Sequence, residues 1–206
     1  MPQIRSMPVT QSSLKSSLCL LFATAVCLPA ATREITINLY DYAGIEANEM
    51  AAIAQSATQG FRQAGIAVRW RNCLGNPSCR EDVTTMVVAV LPEHMARKIA
   101  KTTKQCGLAA TSGPGGFPNH AYVFYDRVVD LAKSEMAPWS LLLGTTIAHE
   151  VGHLLLGDNS HFAIGIMRAN WRPEEIKQAL MGALTFTPQQ AQKIRDDVDR
   201  RQKLKN

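Results

Sequence analysis

The chain has 206 residues, enough for one domain with its own core and short for two. Hydrophobic residues make up 46% and charged residues 19%, a globular balance that excludes an intrinsically disordered chain. The net charge is +5 without any dense run of Lys and Arg, so nothing points to nucleic acid, and the tail Arg200 to Lys205 (RRQKLK) reads as a solvated helix end.

The N-terminus stands apart. Arg5 and Lys15 are the only charges before Arg33, and an apolar run from Leu18 to Leu28 (LCLLFATAVCL) leads into Ala30 and Ala31. A basic start, a short apolar run and small residues at its end predict a secretory signal peptide over residues 1–31. The run is too short for a membrane span, which needs about 20 apolar residues. The expected mature chain, residues 32–206, is secreted or periplasmic, with no membrane span of its own. Its net charge falls to +3 because Arg5 and Lys15 are lost. So few residues separate Ala31 from the first strand that no latency segment is expected.

The cysteines agree with export. Cys73 and Cys79 bracket the turn-forming LGNPS and are placed to close a small disulfide loop, although Cys106 is an alternative partner. No CxxC is present, which argues against a zinc ribbon.

Along the chain, Glu34 to Tyr40 alternates as a strand. Ile45 to Ala64 carries Met50, Ile53, Ala57 and Phe61 at helical spacing, with Gly65 as its stop. Ile66 to Arg71 alternates again, and TMVVAVL within Asp82 to Leu91 is a buried strand. A short helix follows over Pro92 to Lys101. Two more strands are expected at Gly107 to Thr111 and Ala121 to Tyr125, the latter placing Tyr122 and Tyr125 on a strand. The glycine-rich loop between them, Ser112 to Pro118, lacks a Lys-Ser/Thr and opens no helix, so it is no phosphate cradle. Pro138 then introduces a long apolar helix, Trp139 to Leu156, ended by Gly157. Helices over Pro173 to Leu184 and Pro188 to Lys203 close the chain. The mixed order predicts an α+β fold: one twisted mixed sheet packed on helices, with a small helical C-terminal part.

The chemistry concentrates on the long helix. His149-Glu150-Val151-Gly152-His153 is an HExxH, and four residues turn the helix by about 400°, so both imidazoles leave one face. That spacing lets two neutral nitrogens reach one Zn²⁺ at about 2.0–2.1 Å. Glu150 lies about 100° round, beside the metal, where a carboxylate can take a proton from water and pass it to a leaving amine. On an apolar helix His and Glu are costly to bury without partners, and a metal supplies one.

A catalytic zinc needs a third protein ligand and an open fourth position. His161, four residues beyond Gly157, is the favoured candidate. Glu174 and Asp158 stay open as rivals. Glu174 is better placed to serve the dipole of its own helix, and Asp158 follows the helix end too closely to reach back.

HExxH followed by a turn-making Gly, a third His and Gly165-Ile166-Met167 resembles the metzincin group of zinc endopeptidases. The resemblance implies a zincin-like domain with an active-site helix ending at the glycine, and Met167 as the turn methionine beneath the ligands. The spacing departs from HExxHxxGxxH: Gly157 comes one residue late and His161 two, and the family's third-ligand position falls on Asn159.

Outside this segment the candidates are weaker. His94 and His120 read as surface or loop histidines, Trp139 and Trp171 as packing residues around the active-site segment. Arg168 is a candidate for a substrate carboxylate or, more simply, an ion pair with the next helix. The expected function is zinc-dependent hydrolysis of a peptide or protein substrate, with an extended peptide adding to the sheet edge. A zinc amidase and a non-catalytic zinc-binding module are the alternatives.

Overall fold

The computed structural model describes residues 32–100, 105–110, 114–157 and 159–205. The signal peptide expectation therefore lies outside the described residues. The elements run β1 (Glu34–Asp41), α1 (Ala47–Gln63), β2 (Ala67–Asn72), β3 (Thr85–Leu91), α2 (Glu93–Ile99), β4 (Gly107–Ala110), a single 3₁₀ turn at Pro114–Gly116, β5 (His120–Phe124), α3 (Tyr125–Ser134), α4 (Trp139–Leu156), α5 (Pro173–Leu180) and α6 (Pro188–Lys205). The five strands form one mixed sheet in the order β2-β1-β3-β5-β4. All neighbours are parallel except β4, which pairs antiparallel with β5 at the edge, Leu108 opposite Tyr122. This is the single α+β domain expected, and no helix of the described residues is long and apolar enough to cross a membrane.

Burial follows the sequence pattern. On β1 the alternation sends Ile35, Ile37 and Leu39 into the main core. All seven residues of β3 are buried, as a strand covered on both faces requires. One face carries Met86, Val88 and Val90 in the main core, and the other carries Ala89 and Leu91 in a smaller cluster with Ala96 of α2.

Helix α4 packs in the middle of the main core, and 13 of its 18 residues are buried. It crosses α1 at Gly144, where a Cβ would collide with the Ile53 carbonyl oxygen and with the Ser56 side chain. Close approach lets Ser56 Oγ donate to the Leu141 carbonyl at 2.9 Å. Gly157, at φ 80° and ψ −172°, then turns the chain out of the helix in a conformation reserved for glycine.

Two expectations are corrected here. Tyr125 does not lie on the strand: β5 stops at Phe124 and runs without a loop into α3, whose buried Val128 and Ala132 lie one turn apart. The helix start is tied down from outside, since Asp126 accepts the Glu93 backbone N–H at 2.6 Å. The second correction concerns the basic tail. Arg201 is only 1% exposed, and its guanidinium donates to the carbonyls of Val83, Pro118 and Leu154 while pairing with the buried Asp197. The carbonyls come from the approaches to β3 and β5 and from the last turn of α4, so one side chain joins three segments. Helical boundaries otherwise differ by a few residues; α5, for example, ends at Leu180 instead of Leu184.

Arg201→Ala would leave the buried Asp197 carboxylate with only the exposed Arg200 as ion-pair partner and would remove the donor to three carbonyls, and is expected to destabilise the fold by about 3 kcal/mol. Arg200→Ala, next to it but largely exposed, should change stability by about 0.5 kcal/mol or less. Urea denaturation of both variants checks this; equal midpoints would show that Arg201 is no tie.

Candidate metal centre

The three histidines meet at one point. His149 Nε2 lies 3.0 Å from His153 Nε2, and His153 Nε2 lies 3.1 Å from His161 Nε2. One helical turn on α4 supplies the first two, and the loop after Gly157 brings back the third. Ligands at about 2.0–2.1 Å in a tetrahedron stand about 3.3 Å apart, so the spacing is close to what one zinc ion requires. These three are the group of His, Cys, Asp and Glu found within metal-holding distance among the described residues. Glu174 is not in the group and sits exposed in the first turn of α5, as the dipole argument expected. Asp158 lies outside the described residues.

Each helical imidazole is oriented from behind. His149 Nδ1 is 2.7 Å from the Ile166 carbonyl oxygen. A carbonyl can only accept, so Nδ1 carries the proton and Nε2 keeps its lone pair facing the other rings. Trp171 Nε1 donates to the same oxygen at 3.0 Å, and the indole stands edge-on to His149 at 5.9 Å between ring centroids. His153 Nδ1 is 2.8 Å from Ser160 Oγ. Below the helix Met167 is fully buried, and a Cβ on Gly152 would come within 2.5 Å of its sulfur. Gly152 thus makes room for the methionine one residue before His153.

Electrostatics keep the donors neutral. Burial pushes His149 down to about 4 and His153 down to about 3, the neighbouring imidazoles adding to the effect on both. Lone pairs of neutral imidazoles directed at one another repel unless a cation lies between them. Three nitrogen donors of borderline softness, with further coordination positions open, are a donor set suited to zinc.

Glu150 is 6% exposed and turns toward the edge strand. A Cβ on Gly107 of β4 would fall 2.5 Å from Glu150 Oε1, so only glycine leaves the carboxyl its space. Burial pushes this carboxyl up to about 8. Cys106, next in line on the approach to β4, is free and half-buried; burial first and the Glu150 charge second push its thiol up to about 11, which keeps it from acting as a thiolate ligand.

The remaining candidates lie outside the three-histidine group. Arg168 pairs with Glu175 at 3.5 Å and donates to the carbonyls of Asn170 and Ala163, the simpler of its two expected roles. His120 Nδ1 lies 2.7 Å from Asn119 Oδ1 on β5, and His94 is exposed on α2. Trp139 packs edge-on against Tyr125 at 5.5 Å. Cys73 and Cys79 form the disulfide anticipated from their spacing. Sequence reasoning missed Ser160 and the Ile166 carbonyl; the second is a backbone atom that no motif can report.

The Glu150 carboxyl gives a pH signature in metal-free protein. Its folded pKa of about 8 exceeds the ordinary 4.5, so the protonated form favours folding, and stability contributed by it is lost as pH rises from 4.5 through 8. Glu150→Gln stays neutral and escapes that loss. In chelator, its stability should match the parent near pH 4.5 and exceed it by about 2–4 kcal/mol above pH 8. Parallel urea-denaturation profiles for the two proteins would disprove the burial argument.

No protein-family profile matches the chain. No curated protein matches it in sequence either. Among solved structures it is similar to a zinc-dependent peptidase from Methanocorpusculum labreanum, at 14% identity and a TM-score of 0.49, over 77% of this chain and 99% of that one. It is also similar to archaemetzincin from Methanopyrus kandleri, at 10% identity and a TM-score of 0.52, over 84% of this chain and 99% of that one. The second likeness shows a shared fold.

Proposed function

We propose that the chain is an exported zinc metallopeptidase in which His149, His153 and His161 hold one Zn²⁺ and Glu150 is the general base. The observation that carries the reading is the convergence of three Nε2 atoms, two of them on a helix whose residue next to His149 is a buried carboxyl. Bound there, zinc supplies Lewis acidity to the scissile carbonyl and to water. Glu150 takes the proton of the attacking water and returns it to the departing amine. A positive ion beside Glu150 also offsets the burial that raises its pKa, leaving the carboxylate in its basic form at neutral pH.

The sheet edge is the substrate's place on this reading. β4 ends the sheet, and its Gly107 packs against the Glu150 side chain. An extended peptide adding to that edge would bring its backbone past the base and the three histidines. Met167 under Gly152 fits the turn methionine of a metzincin, and the fold shared with a protein named archaemetzincin supports the same reading. A structural zinc site would close its fourth position and would have no use for Glu150.

Purified mature protein should carry about one zinc per chain, removable by a chelator. Glu150→Gln should keep the zinc while cleavage of a general protein substrate falls by at least about 10²-fold. His161→Ala should lose zinc sharply, with Glu174→Gln nearly unchanged. Zinc retained without His161 and lost without the Glu174 carboxylate would replace the three-histidine site with a two-histidine, one-glutamate site.

Export rests on the N-terminal pattern and is supported by the Cys73–Cys79 disulfide, which suits an oxidising compartment. N-terminal sequencing of protein recovered outside the cytoplasm should begin close to Thr32; an intact Met1 there would refute cleavage.

A further inference from the structure

The two helical histidines are held by partners of different kinds. The carbonyl behind His149 accepts and nothing else, so it fixes that ring's tautomer. The Ser160 hydroxyl behind His153 can accept or donate, and so leaves the choice to chemistry. Ser160 is nevertheless built into the fold. It is 6% exposed while Asn159 and His161 on either side are exposed. Asn159 has φ 56°, a left-handed conformation that asparagine tolerates better than most residues. That single reversal sends the Ser160 hydroxyl in under α4 and the next side chain, His161, to the outer side of the same point. The stretch Asn159 to His161 therefore delivers two groups to the site.

We propose that Ser160 is a positioning residue of the metal centre, its hydroxyl accepting the Nδ1–H of His153 and so presenting the Nε2 lone pair to the metal. The proposal rests on the zinc reading of the three histidines and adds a residue which that reading does not need. Without the hydroxyl, His153 can turn about its χ2 axis or bind through the other nitrogen, and each alternative spoils a three-nitrogen site in which His153 Nε2 stands 3.0 and 3.1 Å from its two neighbours. Outer-shell partners of metal-bound histidines typically change affinity by about 10–100-fold when removed.

The test compares the full mature chain with Ser160→Ala and Ser160→Thr by zinc competition against a chromogenic chelator, alongside urea denaturation without metal. Ser160→Ala should weaken zinc binding by about 10–100-fold, and Ser160→Thr, which keeps the hydroxyl, should restore it to within about 3-fold of the parent. The metal-free denaturation midpoints should be similar, separating positioning from folding. Equal affinity in the parent and Ser160→Ala overturns the proposal while leaving the three-histidine site intact. Equal loss in Ala and Thr variants overturns it too, since the loss would then follow the shape of the side chain. A parent that binds no zinc refutes the metallopeptidase reading itself and the proposal with it. Should Ser160→Ala fail to fold, nitrogen NMR of the zinc-loaded parent decides: Nδ1 of His153 must carry the proton, and zinc on Nδ1 overturns the proposal.

Discussion

Three lone pairs cannot be aimed at one another in a protein interior without something positive between them or a strong scaffold behind them. Helix α4 is such a scaffold, held by its apolar residues in the core. Its buried surface is in contact with the sheet, α1 and α6, so neither His149 nor His153 can relieve the repulsion by moving the backbone. Gly144 brings α1 against the helix and Gly152 brings Met167 beneath it, each by the absence of a Cβ. The packing around the helix thus serves a local electrostatic need.

The same burial acts in opposite senses on the two kinds of titrating group. It lowers the histidines, which keeps them available as neutral donors, and raises Glu150, which on its own would leave the carboxyl protonated. A dication reconciles the two, being attractive to both imidazole lone pairs and a carboxylate. On the proposed reading, burial supplies the neutral donors, and the charge they would gather is what returns Glu150 to its carboxylate form.

Much of this was legible in the sequence because it lies in short-range patterns. The α4 boundaries follow from Pro138, an unbroken apolar run and Gly157, and β3 follows from TMVVAVL. The small disulfide followed from two cysteines around a turn sequence. Helix α3 was not legible, because β5 passes into it without a breaker and Val128-Val129 is a β-branched pair in a segment that reads as extended. Arg201 looked solvated because its three carbonyl acceptors are 118, 83 and 47 residues away along the chain. The role of Ser160 depends on the left-handed turn at Asn159, a backbone choice that composition does not reveal.

The Ile166 carbonyl accepts from both His149 and Trp171, so both of its lone pairs are engaged by rings that touch each other. The turn, the imidazole and the indole form one hydrogen-bonded unit, and a shift in any of them is felt by the other two. Trp171 is thereby an indole in direct contact with one histidine of the candidate metal centre. Emission from a chain that keeps Trp171 and lacks Trp70 and Trp139 is then expected to change when the His149 ring gains a partner, a useful handle where a d¹⁰ ion would have no colour of its own.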